Sequence, residues 1–321
     1  MPPDWTQAVD QLFTSTWMKR TPTAELQSFE KTPFIDWLYK KNKVKKQAGY
    51  TRLEIPLEYG SNTTVRWLGK GGSVPIDDPE LLTMAYEDWK YVAVSIVRYG
   101  TDDQKNRGKA ALLRLVETKL NAAERALMEE FERVVFADGT GSKEPNGLQN
   151  LIADSPSTGT VHGINRATYD WFRNQTKSSG GAASVYLLND LRNLFNTCTK
   201  FAKTERRDYI NYTDQTTYEL YEEEVEEQKR IVNQDEGDPF FDGVVFKGRP
   251  VYWAPSAPSG SWYMINPNYF YLWCDTDYFM QMTEWKPIPD QVNDRVAQIL
   301  CTMNVVCSRP VAQGVLTGNA A

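Results

Sequence analysis

The chain has 321 residues, 41% of them apolar and 24% charged, with a net charge of −6. That is enough chain for a sizeable core in one elaborate domain or two simple ones. The acidic balance argues against a protein whose main task is gripping nucleic acid, no apolar run is long enough to span a membrane, and the first twenty residues lack a signal-peptide core.

The four cysteines, Cys198, Cys274, Cys301 and Cys307, form no Cys-x-x-Cys pair. They read as reduced, mostly buried thiols. Along the first 49 residues, Pro2, Pro3, Pro22 and Pro33 interrupt short apolar clusters such as Phe34 to Tyr39. This predicts an extended arm with one or two short helices, tied down where its aromatics find pockets. The arm ends in a basic run, Lys40 to Lys46. Most such runs are solvated, and binding of an acidic partner is the minority reading.

Residues 50–99 predict a β-ribbon. Leu53, Ile55, Leu57 and Tyr59 alternate on one face, and Trp89 to Arg98 is dense in aromatic and β-branched residues. Gly69-Lys-Gly-Gly72 and an Asp-Asp-Pro turn lie between these two runs, which are expected to pair with no further strand beside them. An isolated ribbon is marginal in water, so it needs a surface, and that surface can belong to another chain. A long helix over 102–137 follows. Thr101-Asp-Asp-Gln104 has capping-box form. Leu113, Val116, Leu120, Ala123, Leu127, Phe131 and Val134 make one apolar face, with Lys119 and Glu124 on the polar one. Asp138-Gly139 supplies the stop. At full length the helix would run about 54 Å.

A turn-rich stretch leads to Ser178-Ser-Gly-Gly181, a natural boundary. Beyond it, strands and helices alternate: strand-like Val185 to Leu188, a helix from Leu191 to Ala202, strand Tyr209 to Tyr212, and a helix from Thr217 to Ile231. Strands at Val244–Phe246, Val251–Trp253, Trp262–Ile265 and Phe270–Trp273 follow, and a strand-rich segment closes the chain. The class is α+β, with a mixed α/β portion.

Catalytic signals are thin. With a single histidine, His162, two-histidine metal sites are excluded, and His162 itself reads as a structural loop residue. Gly69-Lys-Gly-Gly-Ser73 lacks the spacing and the following helix of a phosphate loop. The acidic run Glu222 to Glu227 reads as a solvated helix face rather than a cation site. Ten tryptophans and seventeen tyrosines could line a sugar cleft between carboxylates, but they are dispersed, as core and interface aromatics are.

The order arm, ribbon, long helix, Gly147-Leu-Gln-Asn-Leu-Ile152 loop, mixed domain and strand-rich return resembles the major capsid proteins of tailed bacteriophages with the HK97-type fold. Asp138-Gly-Thr-Gly, Gly159-Thr-Val-His-Gly-Ile-Asn-Arg166, Trp171-Phe-Arg-Asn174, Phe246-Lys-Gly-Arg-Pro-Val251 and Ile265-Asn-Pro carry the likeness. The resemblance implies an N-terminal arm (1–49) and an E-loop (50–99) lying across a neighbouring subunit. It further implies a peripheral domain (100–181 and 283–321) with the spine helix, and an axial domain (182–282). It implies a non-enzymatic subunit without cofactor or metal, assembling with itself as pentamers and hexamers around double-stranded DNA. Since the chain begins with Met1 close to the arm, a separate scaffolding protein is expected, with a portal and a possible decoration protein. Assembly would occur in the host cytoplasm and the product would be a virion capsid. Leu57, Tyr59, Trp67, Leu68, Lys70, Trp89 and Tyr91 are the expected assembly contacts. Lys70 is also a candidate for covalent crosslinking, though no partner asparagine or buried acid can be named. The alternative within the same architecture is an encapsulin-like compartment.

Overall fold

The computed structural model describes residues 34, 38, 40–49, 51–60, 62, 64–74, 76, 80–101, 109–139, 143–181, 183–202, 208–227, 244–291 and 294–319. In chain order the first strands are β1 (Val44–Gln47), β2 (Leu53–Glu58), β3 (Leu82–Glu87) and β4 (Lys90–Arg98). The spine helix α1 (Lys109–Val135) and the short helix α2 (Leu148–Leu151) follow, then β5 (Thr160–Val161), β6 (Ile164–Asn165) and β7 (Gln175–Ser178). Helices α3 (Ala183–Phe201) and α4 (Gln215–Glu227) flank β8 (Ile210–Thr213). The remaining strands are β9 (Val245–Phe246), β10 (Arg249–Trp253), β11 (Trp262–Ile265), β12 (Phe270–Met282), β13 (Lys286–Pro287), β14 (Arg295–Cys307) and β15 (Gly314–Thr317).

Two sheets organise the molecule. In the five-stranded sheet, antiparallel β12 and β14 are the centre. β1 lies parallel on the outer edge of β12, and β4 pairs along β14 from Arg295 to Met303. The six-stranded sheet has the order β7-β15-β11-β8-β10-β9. Its two faces serve different cores because side chains alternate along a strand. Tyr212, Tyr252, Tyr263, Ile265 and Val315 face the first core, which includes α1. Val251, Trp262, Met264 and Leu316 face the second, where Leu187, Leu191, Leu194 and Cys198 of α3 meet Tyr218 and Tyr221 of α4. Gly314 is needed here, since a Cβ would sit 2.5 Å from Cys198 Sγ.

The spine helix buries Val116, Leu120, Ala123, Leu127, Phe131 and Val134, the apolar face read from the sequence. It stops at Val135 rather than Ala137. Residues 102–108, with most of the capping box, and the side chain of Leu113 lie outside the described residues. Glu124 is buried, not on the polar face, and Lys119 reaches the Val97 carbonyl at 2.7 Å. After Gly139 (φ +65°) the chain folds back so tightly that a Cβ on Gly147 would collide with the Val134 and Ala137 carbonyls.

Three other readings change. The strand paired with β2 is β3, while the Trp89–Arg98 run, as β4, joins β14 some two hundred residues away. The ribbon therefore does have strands beside its second run, because β4 offers a nine-residue β-branched edge that the five-stranded sheet can bury. Val185–Leu188 is helical within α3, where Leu187 is buried and Tyr186 exposed. The Phe270–Trp273 strand extends to Met282 through a bulged register and belongs to the five-stranded sheet. Of the arm, Phe34 packs edge-on against Phe270 at 5.4 Å and Tyr212 at 6.3 Å, while residues 1–33 lie outside the described residues. All four cysteines are buried and none is in a disulfide.

Candidate assembly surface

The β2–β3 ribbon divides into a supported base and an unsupported tip. At the base, Leu53, Ile55 and Leu57 of β2 and Ala85 of β3 are buried in the first core, following the period-two pattern. Tyr59 stacks on Trp171 with ring centroids 5.3 Å apart, and the Tyr86 amide donates to the His162 carbonyl at 3.0 Å. The surface the ribbon needs is thus partly its own chain, the loop around residues 160–172.

Beyond Tyr59 the chain runs to Leu81 with little support. The Tyr59 and Gly60 amides both donate to the Leu81 carbonyl. Gly60 is required there, because a Cβ would lie 2.5 Å from the Glu80 carbonyl oxygen. At the far end the Gly72 amide donates to Gly69 O at 3.0 Å, with Gly71 at φ +84°. This is a turn, and among the described residues no helix follows it to make a phosphate site. Val65, Trp67, Leu68, Val74 and Ile76 are exposed, Trp67 and Ile76 completely so. Large apolar side chains left exposed together on one short segment of a folded chain point to a contact site.

The expected contact residues therefore separate. Trp67 (104%) and Tyr91 (75%) are largely exposed, as are Leu68 and Lys70, and Tyr59 is exposed at its rim. Leu57 and Trp89 are buried in this chain's own core, at 3% and 8% exposure. Lys70 makes no ion pair or side-chain hydrogen bond among the described residues.

A polar cluster absent from the sequence reading fixes the base of the ribbon. His162, at φ +53° with a side chain excluded from solvent, places Nδ1 2.8 Å from Glu87 Oε1. Its Nε2 accepts from the Cys307 amide at 3.1 Å, so Nδ1 carries the proton and donates to Glu87. Asn304 Nδ2 donates to the Asp88 carbonyl at 2.8 Å and lies 3.4 Å from Glu87 Oε2. Asn304 Oδ1 accepts from the Asn146 amide at 3.1 Å. Burial pushes the Glu87 carboxyl up, but hydrogen bonds from His162, with help from Asn146, outweigh it and hold the group below the usual carboxylate range. Only the order Val161-His-Gly163, whose glycine also adopts a positive φ, hinted at a specific turn.

This cluster is not a nucleophilic site. The Cys307 thiol is fully buried and pushed up to about 12, where the thiolate is scarce. His162 meets the cysteine's backbone, not its sulfur. Among the described residues no group of three or more His, Cys, Asp or Glu could hold a metal ion, and no helix is long and apolar enough to cross a membrane.

No family model and no curated protein matches the sequence. Solved structures do match. The cyanophage A-1(L) capsid asymmetric unit superposes with TM-score 0.64 at 13% identity, over 87% of this chain and 91% of that one. The capsid of the native GTA particle gives 0.62 at 12% identity, over 88% and 90%. The SrpI encapsulin complex from Synechococcus elongatus PCC 7942 gives 0.54 at 10% identity, over 89% of each chain. The chain has the HK97-type fold of these shell proteins.

Proposed function

We propose that the protein is the major capsid protein of a tailed phage. It assembles with itself, as pentamers and hexamers, into an icosahedral shell around double-stranded DNA, and acts without enzymatic chemistry. The observation that carries this is the ribbon tip: five exposed apolar side chains between residues 65 and 76, on a fold found in capsids. In an assembly, a neighbouring subunit covers that tip. The net charge of −6 suits a container whose nucleic acid must move during packaging.

In this reading residues 1–49 are the arm, 50–99 the E-loop, 100–181 with 283–321 the peripheral domain and 182–282 the axial domain. The separate second core around α3 and α4 supports an axial unit, and the sheet membership of β12 favours ending it near residue 267. A separate scaffolding protein, a portal and a possible decoration protein complete the particle. It would be built in the host cytoplasm.

Deleting residues 62–77 tests the assignment. The expected product is a folded subunit, unchanged in circular dichroism, that forms no shells by electron microscopy. Normal shells from the deletion, or a globally unfolded subunit, contradict it. The likeness to the SrpI shell supports a second reading, an encapsulin-like compartment. Nuclease-protected DNA in purified particles selects the capsid, and protein cargo without DNA selects the compartment.

A further inference from the structure

The basic run of the arm is not uniform. Lys41 is paired with Asp208 at 3.3 Å and so serves the fold. Lys43 and Lys45 have no carboxylate partner among the described residues. They lie instead over aromatic rings of β12. Lys43 Nζ is 5.0 Å from the Tyr271 centroid, and Lys45 Nζ is 4.4 Å from Tyr271 and 4.9 Å from Trp273. Tyr271 and Trp273 are two residues apart on β12, so their rings share one side of the strand. The two lysines thus stand in a row over two rings, about 6.6 Å apart along β1.

The rings attract the cations and limit their wandering, which lowers the entropy lost when an anion arrives. The row presents charge at intervals and has its rings underneath. A phosphate backbone asks for charge at regular spacing and nothing more. β1 is also an edge strand, open on its far side among the described residues.

We propose that Lys43 and Lys45 form a phosphate-tracking strip that touches the enclosed DNA, and that this side of the five-stranded sheet faces the interior of the shell. The proposal rests on the capsid reading. Two cations on a subunit of net charge −6 make a weak, salt-labile contact, which lets DNA slide.

The test uses the full-length chain and its K43E/K45E variant, with a 30-base-pair DNA duplex of mixed sequence and fluorescence anisotropy between 20 and 200 mM salt. The expected result is loss of affinity by about tenfold or more at low salt, and a log K against log salt slope shallower by about 1.8, since each lost phosphate contact removes about 0.9. K43Q/K45Q, which adds no repulsion, should lose the same slope, and melting temperature checks that both variants fold. Unchanged affinity and slope would overturn the strip. So would binding of polyglutamate in preference to the duplex, which would assign the row to an acidic protein. Electron microscopy of the wild-type chain separates the two levels. Shells with unaltered DNA binding in the variants remove the strip alone, whereas absence of shells from the chain both alone and co-expressed with its scaffolding protein removes the capsid reading whatever the duplex does.

Discussion

The imidazole of His162 and the carboxylate of Glu87 meet 2.8 Å apart at the base of the ribbon, joining segments 75 residues apart in sequence. Glu87 is the last residue of β3, and the chain turns through Asp88 and Trp89 into β4. Asn304 of β14 holds that turn through the Asp88 carbonyl. The direction in which the ribbon leaves the body is therefore set by a buried polar node, with Leu53, Ile55 and Leu57 packed behind it.

Replacing Glu87 by alanine leaves the His162 Nδ1–H without its acceptor. Leaving one buried donor unsatisfied costs about 1–3 kcal/mol, and urea denaturation of the subunit should show a loss in that range. Faster proteolysis at the ribbon than elsewhere would locate the damage.

The same carboxyl predicts an acid dependence. Because its folded value is held below the ordinary one, Glu87 contributes stability above the usual glutamate range, and that contribution fades as pH falls through the lowered folded value. Glu87→Gln should flatten the stability profile in that acidic window and leave its shape near neutrality unchanged. A variant whose profile follows wild type below pH 4 would show that the pair does not couple folding to protons.

Leu57 and Trp67 sit on the same ribbon and should behave in opposite ways. Leu57→Ala opens a cavity in the core and should cost about 2–5 kcal/mol. Trp67→Ser removes a side chain that touches little of its own chain, so subunit stability should stay within about 0.5 kcal/mol while the yield of shells falls. Melting curves and particle counts on both variants check the pair.

Gly147→Ala places a methyl group against two carbonyls at the end of the spine helix. Since backbone cannot yield as a side chain can, we expect a loss of about 3 kcal/mol or more. A melting temperature within two degrees of wild type would contradict the tightness of that return.

Lys70 stands in an exposed turn without a side-chain partner among the described residues of its own subunit. Boiled particles should run as one band near 37 kDa, the mass of the single chain being 36.8 kDa. A ladder of multiples that collapses in Lys70→Arg particles would establish a covalent bond through this residue.

Residues on regular local patterns were legible before any coordinates. Val116, Leu120, Ala123 and Leu127 announce the buried face of the spine helix at three- and four-residue steps, and Leu53, Ile55 and Leu57 announce one face of β2 at steps of two. Each pattern is written within a few residues, because helix and strand geometry bring near neighbours onto one face. Val185 to Leu188 failed for the same reason, since four apolar residues in a row satisfy a strand and a buried helix equally.

What the sequence determined by itself was the order of the parts, the apolar faces of its long elements and the absence of histidine-rich chemistry. Pairing was decided only in three dimensions. β4 could equally serve a ribbon or a sheet until β14, two hundred residues later, supplied an edge that pairs with it along its whole length. His162 found Glu87, and Lys43 and Lys45 found Tyr271 and Trp273, by the same closure of distant segments. Local periodicity records which way a side chain points, but which surface it meets depends on contacts that no short stretch of sequence contains.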